Sequence, residues 1–333
     1  MRGKFESNRR GCWKAVGIAA LWVCCGAAAF GQQFVSQDSS PGLNCLKTIG
    51  GGPGDAETVC DSQAVEQLAR SGQAFSENQL GIQSALVLGP EKTVRDARKW
   101  FERAARQGYA PAQVNLAVLY LNGWGVEKNY GSALYWLGVA AKQESARAHT
   151  NLGILYLNGW GVRQDYSEAA VHFRFAAEHG ETGAMVDLAY LSDAGLGTPR
   201  DRAEAVRWYR VAAERGDALG QNNLGDLYLR GLGVEQSDEI AKAWFEKAAE
   251  QGNTGARIKL GFLYANGRAG RTDAEFAYAL IFAADLAGDK RGRGYLAPLE
   301  KQLSVEQIDR AKQKAQSMLL TPEKAKMELA FLR

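Results

Sequence analysis

Asn151-Leu152-Gly153-Ile154-Leu155-Tyr156-Leu157-Asn158-Gly159-Trp160-Gly161-Val162, closed by Ala176-Ala177-Glu178-His179-Gly180, decides the fold, because its landmarks recur along the chain. The Ala pair returns at Ala104-Ala105, Ala140-Ala141, Ala212-Ala213 and Ala248-Ala249. Leu with a small neighbour returns at Leu116-Ala117, Leu188-Ala189, Leu224-Gly225 and Leu260-Gly261. The glycines return at Gly123/Gly125, Gly195/Gly197 and Gly231/Gly233. An aromatic stands at Trp100, Trp136, Trp208 and Trp244, with His172 in the gap. Each step is 36 residues, and a fixed period of this length is the signature of a stacked repeat.

Within one period the spacing predicts two antiparallel helices. From Pro111 to Asn122, Leu116, Leu119 and Tyr120 form one stripe, with Ala112 a turn earlier, while Val114, Val118 and Leu121 form another. At ~100° per residue the stripes lie on opposite faces, so this helix is apolar on both sides. From Tyr130 to Gln143, Ala133, Leu134, Leu137, Ala140 and Ala141 mark an inner face, and the alanines let helix axes approach closely. Gly123 stops the first helix; Gly108, Gly180, Gly216 and Gly252 stop the second. Glu144 breaks that column, so its turn is expected to differ. Ala283-Ala284 arrive one residue early, which reads as a slip of the period in the last copy.

The organisation follows: a signal over 1–31, a flexible Gly/Pro-containing arm over 32–61, a degenerate capping repeat over 62–109, the array over 110–288 and capping helices over 289–333. In the degenerate copy Gly72 and Leu80-Gly81 keep register while Gln83 and Ser84 replace apolar positions. In the tail, Ser304 with Gln307 forms a capping box before Val305, and Thr321-Pro322 opens a further helix.

The first 31 residues hold five basic residues and one acid, then an apolar stretch from Ala15 to Phe30 and the small run Ala27-Ala28-Ala29. That is the order of a secretory signal, and its apolar stretch falls short of the ~20 residues of a spanning helix. Periplasmic or secreted localisation is therefore expected, with an uncleaved anchor as the alternative and no stable membrane span once the signal is removed. The formal charge of +3 comes from this segment: without it 35 basic and 36 acidic residues remain, net −1. Such a balance gives no electrostatic case for nucleic acid. Cys45 and Cys60 are the only cysteines beyond the signal, and a disulfide between them is the economical reading in an oxidising compartment, against two free thiols.

These residues resemble the Sel1-like repeat family, a relative of the tetratricopeptide repeats, over about 73–288. The resemblance implies an all-α, right-handed α/α superhelical solenoid of antiparallel helix pairs with a concave face. It also implies scaffolding or adaptor work on a protein or peptide, often in bacterial envelope regulation or with host or polysaccharide machinery. Some exported members carry a disulfide in each repeat and are linked to β-lactam binding; no Cys lies inside these repeats, so that activity is not carried over. By likeness to tetratricopeptide arrays the second stripe faces the concave side: Val114, Val118, Leu121, Thr150, Ile154, Leu157, Val186, Tyr190, Asp193, Asn222, Asp226, Leu229, Ile258 and Phe262. An apolar groove with an acidic interruption at Asp193, Asn222 and Asp226 suits a segment carrying apolar anchors and a basic residue. The alternative is that these side chains pack between repeats.

A second reading makes the protein an envelope scaffold associated with polysaccharide or peptidoglycan, using Trp124 and Trp160 as stacked loop rings; otherwise those rings pack over helix ends. Asn115, Asn151, Asp187 and Asn223 form a polar column that reads as bridging adjacent backbones. No catalytic motif, metal site or cofactor is expected. His172 and His179 lack companion ligands, and Gly123-Trp124-Gly125 lacks the strand and third glycine of a phosphate loop.

Overall fold

Helix starts at Ala110, Ala146, Thr182, Ala218 and Thr254, each 36 residues after the last, set the first helices of five successive pairs. The computed structural model describes residues 45–49, 56–60, 62–86, 91–268 and 270–319. The first helices are α4 (Ala110–Asn122), α6 (Ala146–Asn158), α8 (Thr182–Ala194), α10 (Ala218–Arg230) and α12 (Thr254–Asn266). Their partners are α5 (Tyr130–Ala141), α7 (Tyr166–Glu178), α9 (Arg202–Glu214), α11 (Asp238–Glu250) and α13 (Ala274–Leu286). The architecture is an all-α solenoid of antiparallel helix pairs. Ahead of it lie α1 (Ser62–Arg70), α2 (Ala74–Leu86) and α3 (Glu91–Arg106), with α2 again one period before α4. A 3-10 turn (Lys290–Tyr295), α14 (Leu296–Glu300) and α15 (Val305–Ser317) follow.

The boundaries have local causes. Every first helix from α4 to α12 ends at a glycine in the left-handed conformation, Gly123, Gly159, Gly195, Gly231 and Gly267. Every second helix from α5 to α13 begins at a side chain that accepts a backbone N–H: Asn129, Asp165, Asp201, Ser237 and Asp273. Such a cap is worth about 1 kcal/mol. Glu144 sits at φ +59, in the column where Gly108, Gly180, Gly216 and Gly252 also have positive φ. The left-handed turn is kept by a non-glycine residue, at a backbone cost of about 1–2 kcal/mol. It differs slightly, as expected: φ lies below the +87 to +98 of those glycines, and α5 ends at Ala141, one residue earlier in phase than α7, α9 and α11.

The apparent slip in the last copy is corrected. Asp273 and Gly267 stand one full period after Ser237 and Gly231, and α13 starts 36 residues after α11. Only the side chains shift: Asp285 takes the place of the second Ala, with its carboxylate held by Arg293 and Lys290.

The chain forms two compact units, one through Leu191 with Gly195–Pro199, the other Ser192–Ala194 with the residues from Arg200 onward. In both, a small residue of the first helix receives a bulky one of the second, 20 positions later. Phe101, Phe173 and Phe245 are fully buried, and a Cβ built on Gly81, Gly153 or Gly225 would come within 2.4–2.7 Å of the corresponding ring. Ala117 shares a core cluster with the smaller Leu137, and Gly261 is crowded by Ile281. In the second unit Leu299 and Ala311 pack with Tyr278 and Ile281, so α14 and α15 cover α13. The capping box at Ser304 and Gln307 forms in both directions.

β1 (Cys45–Ile49) and β2 (Ala56–Cys60) pair antiparallel within the stretch read as an arm, and the register sets Cys45 opposite Cys60. The cysteine side chains, the signal over 1–31 and the Thr321 helix lie outside the described residues. Among the described residues no helix is long and apolar enough to cross a membrane.

Candidate partner-binding face

In the first unit the second stripe is mostly core. Val114, Val118, Leu121, Leu157 and Val186 are buried. Val114 and Leu121 pack with Leu137 and Ala140 of α5 and with Ala148, Leu152 and Leu155 of α6. The expectation that these residues line an open groove is corrected: α4 needs its second apolar stripe to fill the space against the next pair. Thr150, Ile154 and Tyr190 are half-buried, and the Thr150 hydroxyl is turned back onto the Ala146 carbonyl at 3.2 Å.

In the second unit Asn222 is buried, while Asp193, Asp226, Leu229, Ile258 and Phe262 are half-buried. The acidic interruption is already neutralised. Asp226 accepts from Lys259 at 3.0 Å and from Arg230 at 3.3 Å, and Asp193 accepts from Arg202 at 3.3 Å. The expected basic residue on a partner therefore loses its motive. Burial pushes the Lys259 amine below its usual range, while Asp226 pulls it back up. Its ammonium also lies 5.4 Å from the Phe245 ring centroid. Phe262 meets Tyr295 edge to face at 6.2 Å, and Gly292 packs so close to Ile258 that an added Cβ would lie 3.1 Å from its side chain. What remains accessible beside the closed ion pair is the half-buried Phe262 against the exposed Tyr295, with Leu229 on α10 half-buried over the core cluster around Phe245.

The loop aromatics do not form a free platform. Trp160 stacks on Tyr130 at 5.7 Å with planes 17° apart, and Trp124 packs against the cluster around Phe101 and Leu116. Both rings are half-buried over neighbouring helices. The Asn column behaves differently from the expected backbone bridge. Asn115 donates to the Asn78 side chain at 2.9 Å, whereas Asn151 donates to the Arg147 carbonyl of its own helix.

The bridging role falls instead to a glutamine column that sequence reading missed. Gln113 donates to the Ala105 carbonyl at 3.1 Å and accepts from Gln143 at 2.9 Å. Three repeats on, Gln221 donates to the Ala213 carbonyl at 3.2 Å and accepts from Gln251 at 2.8 Å. Each thereby satisfies a last-turn carbonyl of the preceding helix. The recurrence of Gln at identical phase, 113 and 221 with 143 and 251, was a usable signal. Among the described residues no group of three or more His, Cys, Asp or Glu is placed to hold a metal ion.

The Sel1 repeat model matches residues 89–109, 110–145, 146–181, 182–217, 218–253 and 255–282, more than half of the chain. The chain belongs to the Sel1 repeat family. Among solved structures it is similar to a Sel1 repeat protein from Oxalobacter formigenes, with 33% identity and a TM-score of 0.61, over 67% of this chain and 90% of that one. It is also similar to a protective antigen of uropathogenic Escherichia coli displaying an SLR fold, with 28% identity and a TM-score of 0.58, over 78% of this chain. The match spans 64% of that antigen's length. Among curated proteins nothing matches. Sel1 repeat folds are typically non-catalytic and generally mediate protein–protein interactions.

Proposed function

We propose that this Sel1 repeat protein is an exported adaptor that holds one protein partner on the first-helix face of its second unit. The observation that carries the reading is the Phe262–Tyr295 contact, half-open to solvent, with Phe262 on the helix that the Asp226–Lys259 pair joins to α10 and Leu229 half-buried one turn beyond Asp226. Apolar side chains half-open to solvent supply binding energy by burial, at about 25 cal/mol per Å². A closed ion pair beside them discriminates against partners that would strip its water without replacing its bonds. The occupant that fits is an amphipathic helix or extended segment with apolar anchors at helical or alternating spacing. Export rests on the basic, apolar, small-residue order of residues 1–31.

The double variant Leu229→Ser, Phe262→Ser is expected to weaken a purified partner at least tenfold, about 1.4 kcal/mol, in isothermal titration. Tyr135→Ser and Val171→Ser, both at exposed positions on second helices, are expected to leave affinity unchanged. Unchanged affinity in a folded double variant removes this face from the account.

A further inference from the structure

The chain has three histidines, and all three fall in one repeat. His149 stands in the column of Gln113 and Gln221, His172 in that of Trp136, Trp208 and Trp244, and His179 in that of Gln143 and Gln251. The fold gathers them. His149 Nδ1 lies 3.0 Å from His172 Nδ1, joining α6 to α7. Phe175 is sandwiched between His149, at 3.9 Å, and His179, at 4.1 Å, while Tyr156 stacks on His172 at 5.5 Å. We propose that the His149–His172 pair is an acid-sensitive latch between α6 and α7, closed when both imidazoles are neutral and released when the pair is fully protonated.

A bond between two ring nitrogens needs one donor and one acceptor, which a neutral pair supplies. A neutral His149 protonated at Nε2 keeps Nδ1 as an acceptor for the Nδ1–H of His172. With both rings protonated, two N–H groups confront each other across 3.0 Å in a half-buried site. The charged and titratable groups on the surrounding elements are Lys142 and Glu144 after α5, Arg147 on α6, Glu168, Arg174 and Glu178 on α7, His179 after it, and Glu181 ahead of α8. Arg147 and Glu181 pair with each other at 3.6 Å, and no carboxylate offsets the burial of the two rings. Burial, then the neighbouring His149, pushes His172 down to about 4, and burial also lowers His149.

The sign follows from linkage. A folded-state value below the ordinary imidazole value of about 6.5 means that the open state binds more protons. The latch is at full strength above that value and weakens as pH falls from about 6.5 towards 4. Its opening frees α6, which carries Thr150 and Ile154.

Hydrogen exchange of the full chain at pH 7.5 and pH 4.5, corrected for intrinsic rates, tests this. Amides of α6 and α7 are expected to open about tenfold more at the lower pH than those of the equivalent helices α10 and α11, a figure discounted for partial exposure. His172→Trp and His149→Gln install the residues of sister repeats, and each is expected to abolish the excess. If the Trp variant loses protection already at pH 7.5, the Gln variant decides. Equal behaviour of the two repeats at both pH values, or an excess that survives His149→Gln, overturns the latch.

Discussion

Gly225→Ala lowers stability by about 2–3 kcal/mol, and adding Phe245→Leu recovers most of the loss. Alanine is the better helix former, so propensity alone favours the substitution by about 1 kcal/mol. Packing reverses the sign. A Cβ at Gly225 meets Phe245 Cε1 at 2.7 Å and Cδ1 at 2.9 Å, with the Ala241 carbonyl at 3.2 Å behind it. The ring is fully buried and the two helices are antiparallel neighbours, so neither side yields without moving a repeat. The chain contains the rescued combination already, since Ala117 packs in one cluster with Leu137. Phe245→Leu alone leaves a void and costs about 1 kcal/mol. Urea unfolding of the four chains closes the cycle, with an expected coupling of about 2 kcal/mol; additive losses would mean that the pairing is incidental.

Gln221→Leu is expected to cost about 2 kcal/mol. The amide reaches two partners at once, the Ala213 carbonyl at the end of α9 and Gln251 beyond α11. Leucine fills similar volume but strands a buried carbonyl, and an acceptor left dry costs more than the bond was worth when made. Gln251→Leu removes the bond to Gln221 and a longer one, at 3.4 Å, to the Lys247 carbonyl, both from an exposed residue, and is expected to cost well under 1 kcal/mol. Thermal unfolding of both variants distinguishes them; equal small shifts would mean that solvent reaches the carbonyl.

The sequence announces the helix pairs because backbone requirements repeat. Glycine at a left-handed cap and alanine at a close helix crossing have few substitutes, so their columns are visible without coordinates. Glu144 shows the limit of that logic: the backbone holds its left-handed turn while the residue departs from it. Asp285 shows the converse, a side chain displaced in a frame that does not slip. The partner face was less legible for a geometric reason. Val114 and Phe262 belong to one stripe by spacing, yet Val114 is buried against α5 and α6 while Phe262 borders solvent beside Tyr295. Spacing assigns a direction on the helix, but burial depends on which neighbour stands there. Likewise Asp226 reads as an open acid until Lys259, one turn of the solenoid away, is seen to close on it.

Site-directed photocrosslinking in intact cells tests the central claim most directly. A photoreactive residue at Leu229 or Phe262 is predicted to trap one and the same protein, while the same residue at Tyr135 or Val171, on the exposed side of second helices, traps none. Adducts confined to Tyr135 and Val171, or no adduct from Leu229 and Phe262 in a folded, correctly localised protein, would contradict the account.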